Sequence, residues 1–363
     1  MSKSRVSKAA DNPAKGASSV SRGWFSGRLL GGKTSNLRVS IALRPGRVNF
    51  AVLKYERKAS HVGQLAESTS SAVHLIVNDE LPVEQQNYAQ AIATMLQRYA
   101  RLNLKHAPTQ LVLSPRLVQQ TTLDKPTLND DELAQALPWT LKDLIDIPTA
   151  DMAADYYEPP VQVAGREKIQ AVAVRKSWLA EVLEPLHEAK LKVVGVVNED
   201  IALCALLASD HPPLVVVNQY EQQQAQLMLV KNRGLVVSRQ LKPLHSVVSG
   251  TEPDAFEIEN LAIELQRSLD YFTGQLRQAS LQRVLLAVPG PHLNMTRELL
   301  EQSLSMQVES LPYPDWADEL AAGDFADLGV LAGLAMLEPQ LGHVGSNSDT
   351  STTNGESERG RWL

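Results

Sequence analysis

Eight histidines and a single cysteine are the side chains of this 363-residue sequence best suited to hold a soft metal or to act as nucleophile and base. His61, His74, His106, His187, His211, His245, His292 and His343 show no close pairing at two or four residues, and Cys204 stands apart from them. A structural zinc site needs about four closely placed ligands, so the spacing points to no metal. His245 beside Ser246 lacks the third member that would orient an imidazole. Neither a glycine-flanked serine of the hydrolase type nor a Walker phosphate loop occurs. Asp130, Asp131 and Glu132 precede an apolar helical run and read as N-terminal helix charges. Cys204, inside the apolar run EDIALCALLA, reads as a small core side chain.

The elements that would position any remaining chemistry follow from periodicity. LRVSIALRPGRVNFAVLKYE (37–56) is a hairpin turning at Pro45–Gly46, and residues 71–79 supply another strand. In 83–102, Tyr88, Ile92, Met95 and Tyr99 fall on one helical face, and 109–115 is a short buried strand. Residues 116–178 differ in texture, with a helix interrupted at Pro138 and a later strand. They read as a small α+β insert, after which helix, strand and helix lead to Pro212–Pro213.

The second half repeats the first in outline. PLVVVNQYEQQQAQLMLVKNRGLVVSR (213–239) supplies strands turning at Asn232–Gly234. A long helix follows with Ile258, Leu261, Leu265, Leu269, Phe272 and Leu276 along one face. The closing helix, 326–337, carries Gly329 and Gly333 one turn apart, which suits close approach to a neighbour. The expected architecture is a duplicated α/β fold: a first half of 37–115 with 179–212, an insert of 116–178, and a second half of 213–338. Between such halves lies a cleft, where ligands or partners usually sit.

The flanks differ in kind. Residues 1–36 carry seven basic side chains against Asp11 and include RGWFSGRLLGG, whose Trp24 and Phe25 among arginines suit contact with an anionic membrane surface. That arm and the polar tail 339–363 read as disordered. A formal net charge of -6 gives no electrostatic reason to bind nucleic acid. Without an 18-residue apolar run or a signal-peptide core, the expected location is the cytoplasm.

Several blocks also resemble the PilM-type actin-like proteins of type IV pilus systems. They are ELQRSLDYFTGQL (264–276), QRVLLAVPG, MQVESLPYP (306–314), DLGVLAGLAML (327–337), ELAQALPWTLKDLIDIP (132–148), ADYY (154–157) and GLVVSRQL (234–241). The resemblance spans roughly 37–338 and implies an actin/FtsA-like, ribonuclease H-like α/β fold with a small inserted subdomain. Nucleotide-binding members carry Asp-x-Gly in each opening hairpin, where glycine lets backbone N–H groups reach phosphate and the aspartate holds magnesium. Here the first hairpin has Ala42 and Arg44 at those places, the second Asn218 and Tyr220, and the adenosine turn is reduced to Gly290 between two prolines.

The resemblance therefore implies no cofactor and no enzymatic activity, with no carboxylate left where a metal would be held. Arg44, Arg47 and Asn218 read as solvated hairpin residues, with contact to an anion as the alternative, and the second hairpin as an interdomain framework element. The rival is an ATPase using ATP with Mg. The implied partner is the cytoplasmic N-terminal segment of a PilN-like bitopic inner-membrane protein, received around 85–115 and 132–160. Leu137, Trp139, Leu141, Leu144, Tyr156 and Tyr157 are the expected apolar contacts, and Arg239, Glu264 and Arg267 an expected structural network. Pilus assembly ATPase and platform proteins are further implied partners, at the inner face of the inner membrane.

Overall fold

Proline presets φ at the first position of a turn, and Gly46, at φ +75°, takes the left-handed second position. These two residues join β1 (Leu37–Arg44) to β2 (Arg47–Glu56) in the computed structural model. The structure describes residues 35–56, 72–163, 165–207, 211–220, 223–317 and 320–337. The tail, and the arm up to residue 34 with the membrane contact expected of Trp24 and Phe25, lie outside the described residues.

Two five-stranded sheets carry the duplication. The first has the order β3-β2-β1-β4-β8, with β3 (Ala72–Pro82), β4 (Pro108–Leu113) and β8 (Lys192–Asn198). The second has the order β11-β10-β9-β12-β13, built from β9 (Leu214–Asn218), β10 (Gln226–Lys231), β11 (Gly234–Gln240), β12 (Arg283–Ala287) and β13 (Gln307–Ser310). In each, the opening strand lies antiparallel to the next and parallel to the fourth: Ala42 pairs with Val112, and Asn218 with Ala287. The opening strands are buried along nearly their whole length, on both faces, and are mostly apolar as a result.

Helices cover these sheets. α1 (Tyr88–Arg98) buries Tyr88, Ile92 and Met95 and packs beside α3 (Lys176–Glu188). α4 (Glu199–Leu203) follows β8 directly. In the second lobe α5 (His245–Ser249), α6 (Ala255–Asp270) and α7 (Leu293–Leu304) are present, and α6 buries Ile258, Leu261, Leu265 and Leu269 as its spacing predicts. Asp254 caps α6 by accepting from the N–H groups of Phe256 and Glu257.

The insert is an antiparallel sheet, β5 (Gln119–Asp124), β7 (Lys168–Arg175) and β6 (Met152–Tyr157), in the order β5-β7-β6, with α2 (Asp130–Thr140) over one face. Asn129 and Glu132 form a capping box at the start of α2, so the three acidic residues there are helix-end charges.

One boundary differs from the sequence reading. The closing helix α8 (Leu328–Leu337) packs on β1, β2 and β4 and against α4, so it belongs to the first lobe although the second precedes it. Its apolar surface is buried all round, and Gly333 lies where a Cβ would sit 2.2 Å from Ser40 Oγ. Only glycine permits that approach. The chain has crossed back by Trp316, whose carbonyl accepts from the Leu75 N–H of β3 at 3.1 Å.

Candidate functional site: the cleft between the lobes

β1 and β9 end side by side in the fold's pseudo-repeat, and the residues at and just beyond their ends close the cleft. Arg44 is buried, not solvated: its Nε and Nη2 donate to Asn49 Oδ1 at 3.1 and 2.7 Å, and Nη2 also donates to the carbonyl of Ala326. The guanidinium lies 4.0 Å from the centre of the Tyr220 ring, a cation–π contact between lobes. Tyr220 Oη in turn donates to Glu199 Oε1 at 2.6 Å. Arg44, Tyr220 and Glu199 therefore tie the first lobe to the second through the cleft. Of the three hairpin residues expected in solvent, Arg47 alone is exposed, paired with Glu80; Asn218 is buried.

The sequence reading missed the acids of this cleft. Glu199 and Asp200 follow β8 and are both buried, 2% and 3% exposed. Burial pushes the Glu199 carboxyl up, opposed by Arg44 and the Tyr220 hydroxyl. Burial likewise pushes Asp200 up to about 7, with Ser238 opposing and Glu199 adding to the rise. Asp200 Oδ2 accepts from Ser238 Oγ at 2.6 Å and from Gln226 Nε2 at 3.3 Å, both on the second sheet. The signal was present in Asn198-Glu199-Asp200, polar residues that follow an unbroken apolar strand. Asn198 accepts from the Asp200 N–H and so caps α4, which turns both acids inward.

The residues at or just beyond the ends of β1 and β9, Ala42, Arg44, Asn218 and Tyr220, include no carboxylate. Ala42 offers no metal ligand, and the Arg44 side chain is held by Asn49, the Ala326 carbonyl and the Tyr220 ring. Glu199 is engaged by Tyr220 and packed against α8, where a Cβ on Gly329 would meet its Oε1 at 2.1 Å. Among the described residues no three His, Cys, Asp or Glu side chains converge as a metal site. Gly290 has a structural reason of its own: its φ is +133°, and a Cβ there would sit 2.1 Å from the Val247 carbonyl.

The expected partner contacts divide. Leu137 and Leu141 are fully buried in the insert core and present no surface, and Tyr157 packs mostly into the first-lobe core. The four-residue spacing of Leu137 and Leu141, at the end of α2, placed both toward the sheet, and helical periodicity cannot separate an inner from an outer apolar face. Trp139 and Leu144 are 71% and 56% exposed, and Tyr156 is half-buried with its hydroxyl 3.3 Å from Asp130. The expected Arg239, Glu264 and Arg267 network separates as well. Glu264 and Arg267 form an exposed pair one turn apart on α6, whereas Arg239 lies over the Tyr271 ring at 5.5 Å. Cys204 is buried, as its apolar run implies.

With this geometry established, comparison with solved structures places the chain among proteins of the duplicated actin-like fold. It is similar to a structure described as a PilM–PilN type IV pilus biogenesis complex, at 16% identity and a TM-score of 0.53, over 83% of this chain and 98% of that one. Other similar structures are the cytoplasmic domain of EpsL, an inner-membrane component of the type II secretion system of Vibrio cholerae, and a protein of actin-like ATPase fold from Bacteroides thetaiotaomicron. The first gives 15% identity and a TM-score of 0.41 over 74% of this chain and 94% of that one. The second gives 10% identity and a TM-score of 0.44 over 76% and 91%. No protein-family model and no curated protein sequence matches the chain. Among the described residues no helix is long and apolar enough to cross a membrane.

Proposed function

We propose that this chain is a non-catalytic scaffold of a type IV pilus, of the MshI kind that serves mannose-sensitive haemagglutinin pilus biogenesis, working at the cytoplasmic face of the inner membrane. It binds the cytoplasmic N-terminal segment of a PilN-like bitopic partner and links it to the assembly platform. The observation that carries this reading is the tie across the cleft: Arg44 stacked on Tyr220, with Glu199 behind, joins the lobes through this chain's own side chains. Exposed Trp139 and Leu144 on the insert add an apolar surface of the kind that anchors a peptide. The likeness to a structure that holds PilM with PilN supports the choice of partner.

Calorimetric titration with ATP and magnesium is expected to give no binding heat. Pull-down with the cytoplasmic segment of the bitopic protein encoded beside this chain is expected to retain it, and W139A to weaken retention at least tenfold, the loss of about 1.4 kcal/mol. One observation favours the rival ATPase: a cavity of ≈490 Å3 at the mouth of the cleft, between Arg47, Arg116 and Pro289, is of ligand size. Magnesium-dependent ATP binding there would replace the scaffold reading with the rival.

A further inference from the structure

The second sheet divides its side chains between two cores. Val216, Met228 and Leu285 share one core with α8 and α4, on the side of the first lobe. Val215, Leu227 and Leu286 alternate with them and face the other way, onto α6 and α7. These two helices are therefore the outer layer of the second lobe, and a groove of ≈620 Å3 runs between them. Ile258, Ala262 and Ile263 of α6 and Met295, Leu299 and Leu304 of α7 line it. Ile263 and Met295 are exposed, as is Phe256, two turns before Ile263 on the same face of α6. Among the described residues nothing covers this apolar strip.

The charge around the groove has one sign. Glu259 is the single charged residue of its lining. Glu298, between Met295 and Gln302 on α7, stands on the same face and is exposed. The cations of the two helices are already engaged: Arg267 pairs with Glu264, and Arg297 donates to Asn294 and to the Val308 carbonyl. A fitting occupant carries several apolar side chains with basic ones beside them. Residues 22–30, RGWFSGRLL, have that composition: Trp24, Phe25, Leu29 and Leu30 with Arg22 and Arg28, and no acid. The tail's RGRWL (359–363) offers two apolar side chains in place of four and follows Glu356 and Glu358.

Reach decides which copy supplies the segment. Leu30 lies seven positions before Leu37, where β1 begins, and seven residues span at most about 25 Å. From the first sheet to the groove a straight line crosses α8 and α4, then the second sheet, then α6 and α7. Layers set about 10 Å apart make that about 30 Å, and a path around the surface is longer. The segment of one molecule falls short of its own groove. We propose that the groove receives residues 22–30 of a second copy of this chain, with Trp24, Phe25, Leu29 and Leu30 on its apolar floor and Arg22 and Arg28 against Glu259 and Glu298. Two copies that exchange arms in this way form a dimer joined by two equal contacts. The segment precedes the stretch that resembles pilus proteins, so the contact stands apart from the scaffold reading.

Sedimentation equilibrium of the full chain tests this. The parent is expected to show a concentration-dependent monomer–dimer equilibrium. W24A/F25A, I263D and E259K/E298K are each expected to weaken it at least about tenfold, whereas W139A leaves it unchanged. W24A/F25A alters no described residue, so its effect stands whether or not I263D folds. Mixing W24A/F25A with I263D is expected to restore a weaker dimer held by one contact, because the first variant keeps its groove and the second its arm. A parent that stays monomeric at every concentration overturns the inference, as does a dimer that survives both W24A/F25A and I263D. A dimer lost in W362A but kept in W24A/F25A makes the tail the occupant, and the proposal fails. It fails too if the parent is monomeric and W24A/F25A instead abolishes flotation with phosphatidylglycerol vesicles, since the arm is then a membrane contact.

Discussion

At the scale of single residues, the burial of Asp200 sets the sign of a pH effect. Its folded-state pKa is raised from 3.8 to about 7, so the folded protein holds a proton that the unfolded chain has already lost in that interval. Stability therefore falls as pH rises from about 4 to about 7 and stays lowered above it, by on the order of 4 kcal/mol from this group. D200N removes the penalty. Urea melts are expected to show the variant more stable than the parent at pH 8 and nearly equal to it at pH 4; equal stability at pH 8 would mean that Asp200 is ionised without cost. Glu199 adds to the same trend, since its carboxyl is also raised by burial.

At the scale of elements, α8 is the piece whose placement depends on absent side chains. Gly333 lies against Ser40 and Val112, with a Cβ separation of 2.7 Å from Val112 Cγ2. G333A must push the helix off the first sheet, at a cost of about 1–3 kcal/mol. G274A is the control, because nothing lies within 4 Å of a Cβ there, and a change within about 0.5 kcal/mol is expected. Thermal denaturation of the two variants checks the contrast. The same reasoning explains why the hydrophobic spacing of α6 identified its buried face whereas α2 misled. α6 packs one stripe on a sheet, but α2 buries Leu133, Leu137 and Leu141 and leaves Trp139 in solvent.

At the scale of the whole molecule, Arg44 couples the lobes. R44A deprives Asn49 and the Ala326 carbonyl of their donor and leaves Glu199 without its nearby cation. Removing one member of such a buried set costs about 3 kcal/mol. R44K does not restore it, because an ammonium cannot bond two acceptors and lie over Tyr220 as the planar fork does. Hydrogen exchange is expected to rise together at the ends of β1 and β9 in both variants; a rise confined to β1 would show that the lobes are not coupled there.

The duplication, the insert and the two opening hairpins were legible in the sequence, because strand alternation, helix spacing and turn residues are local. What lines the cleft was decided by the tertiary structure. Arg44, Tyr220, Glu199 and Asp200 are separated by up to 176 positions in the chain, and whether a charge is solvated or buried depends on which elements meet around it. The return of α8 to the first lobe has the same origin. Local pattern states which face of a segment is apolar, and only the packed chain states what covers it.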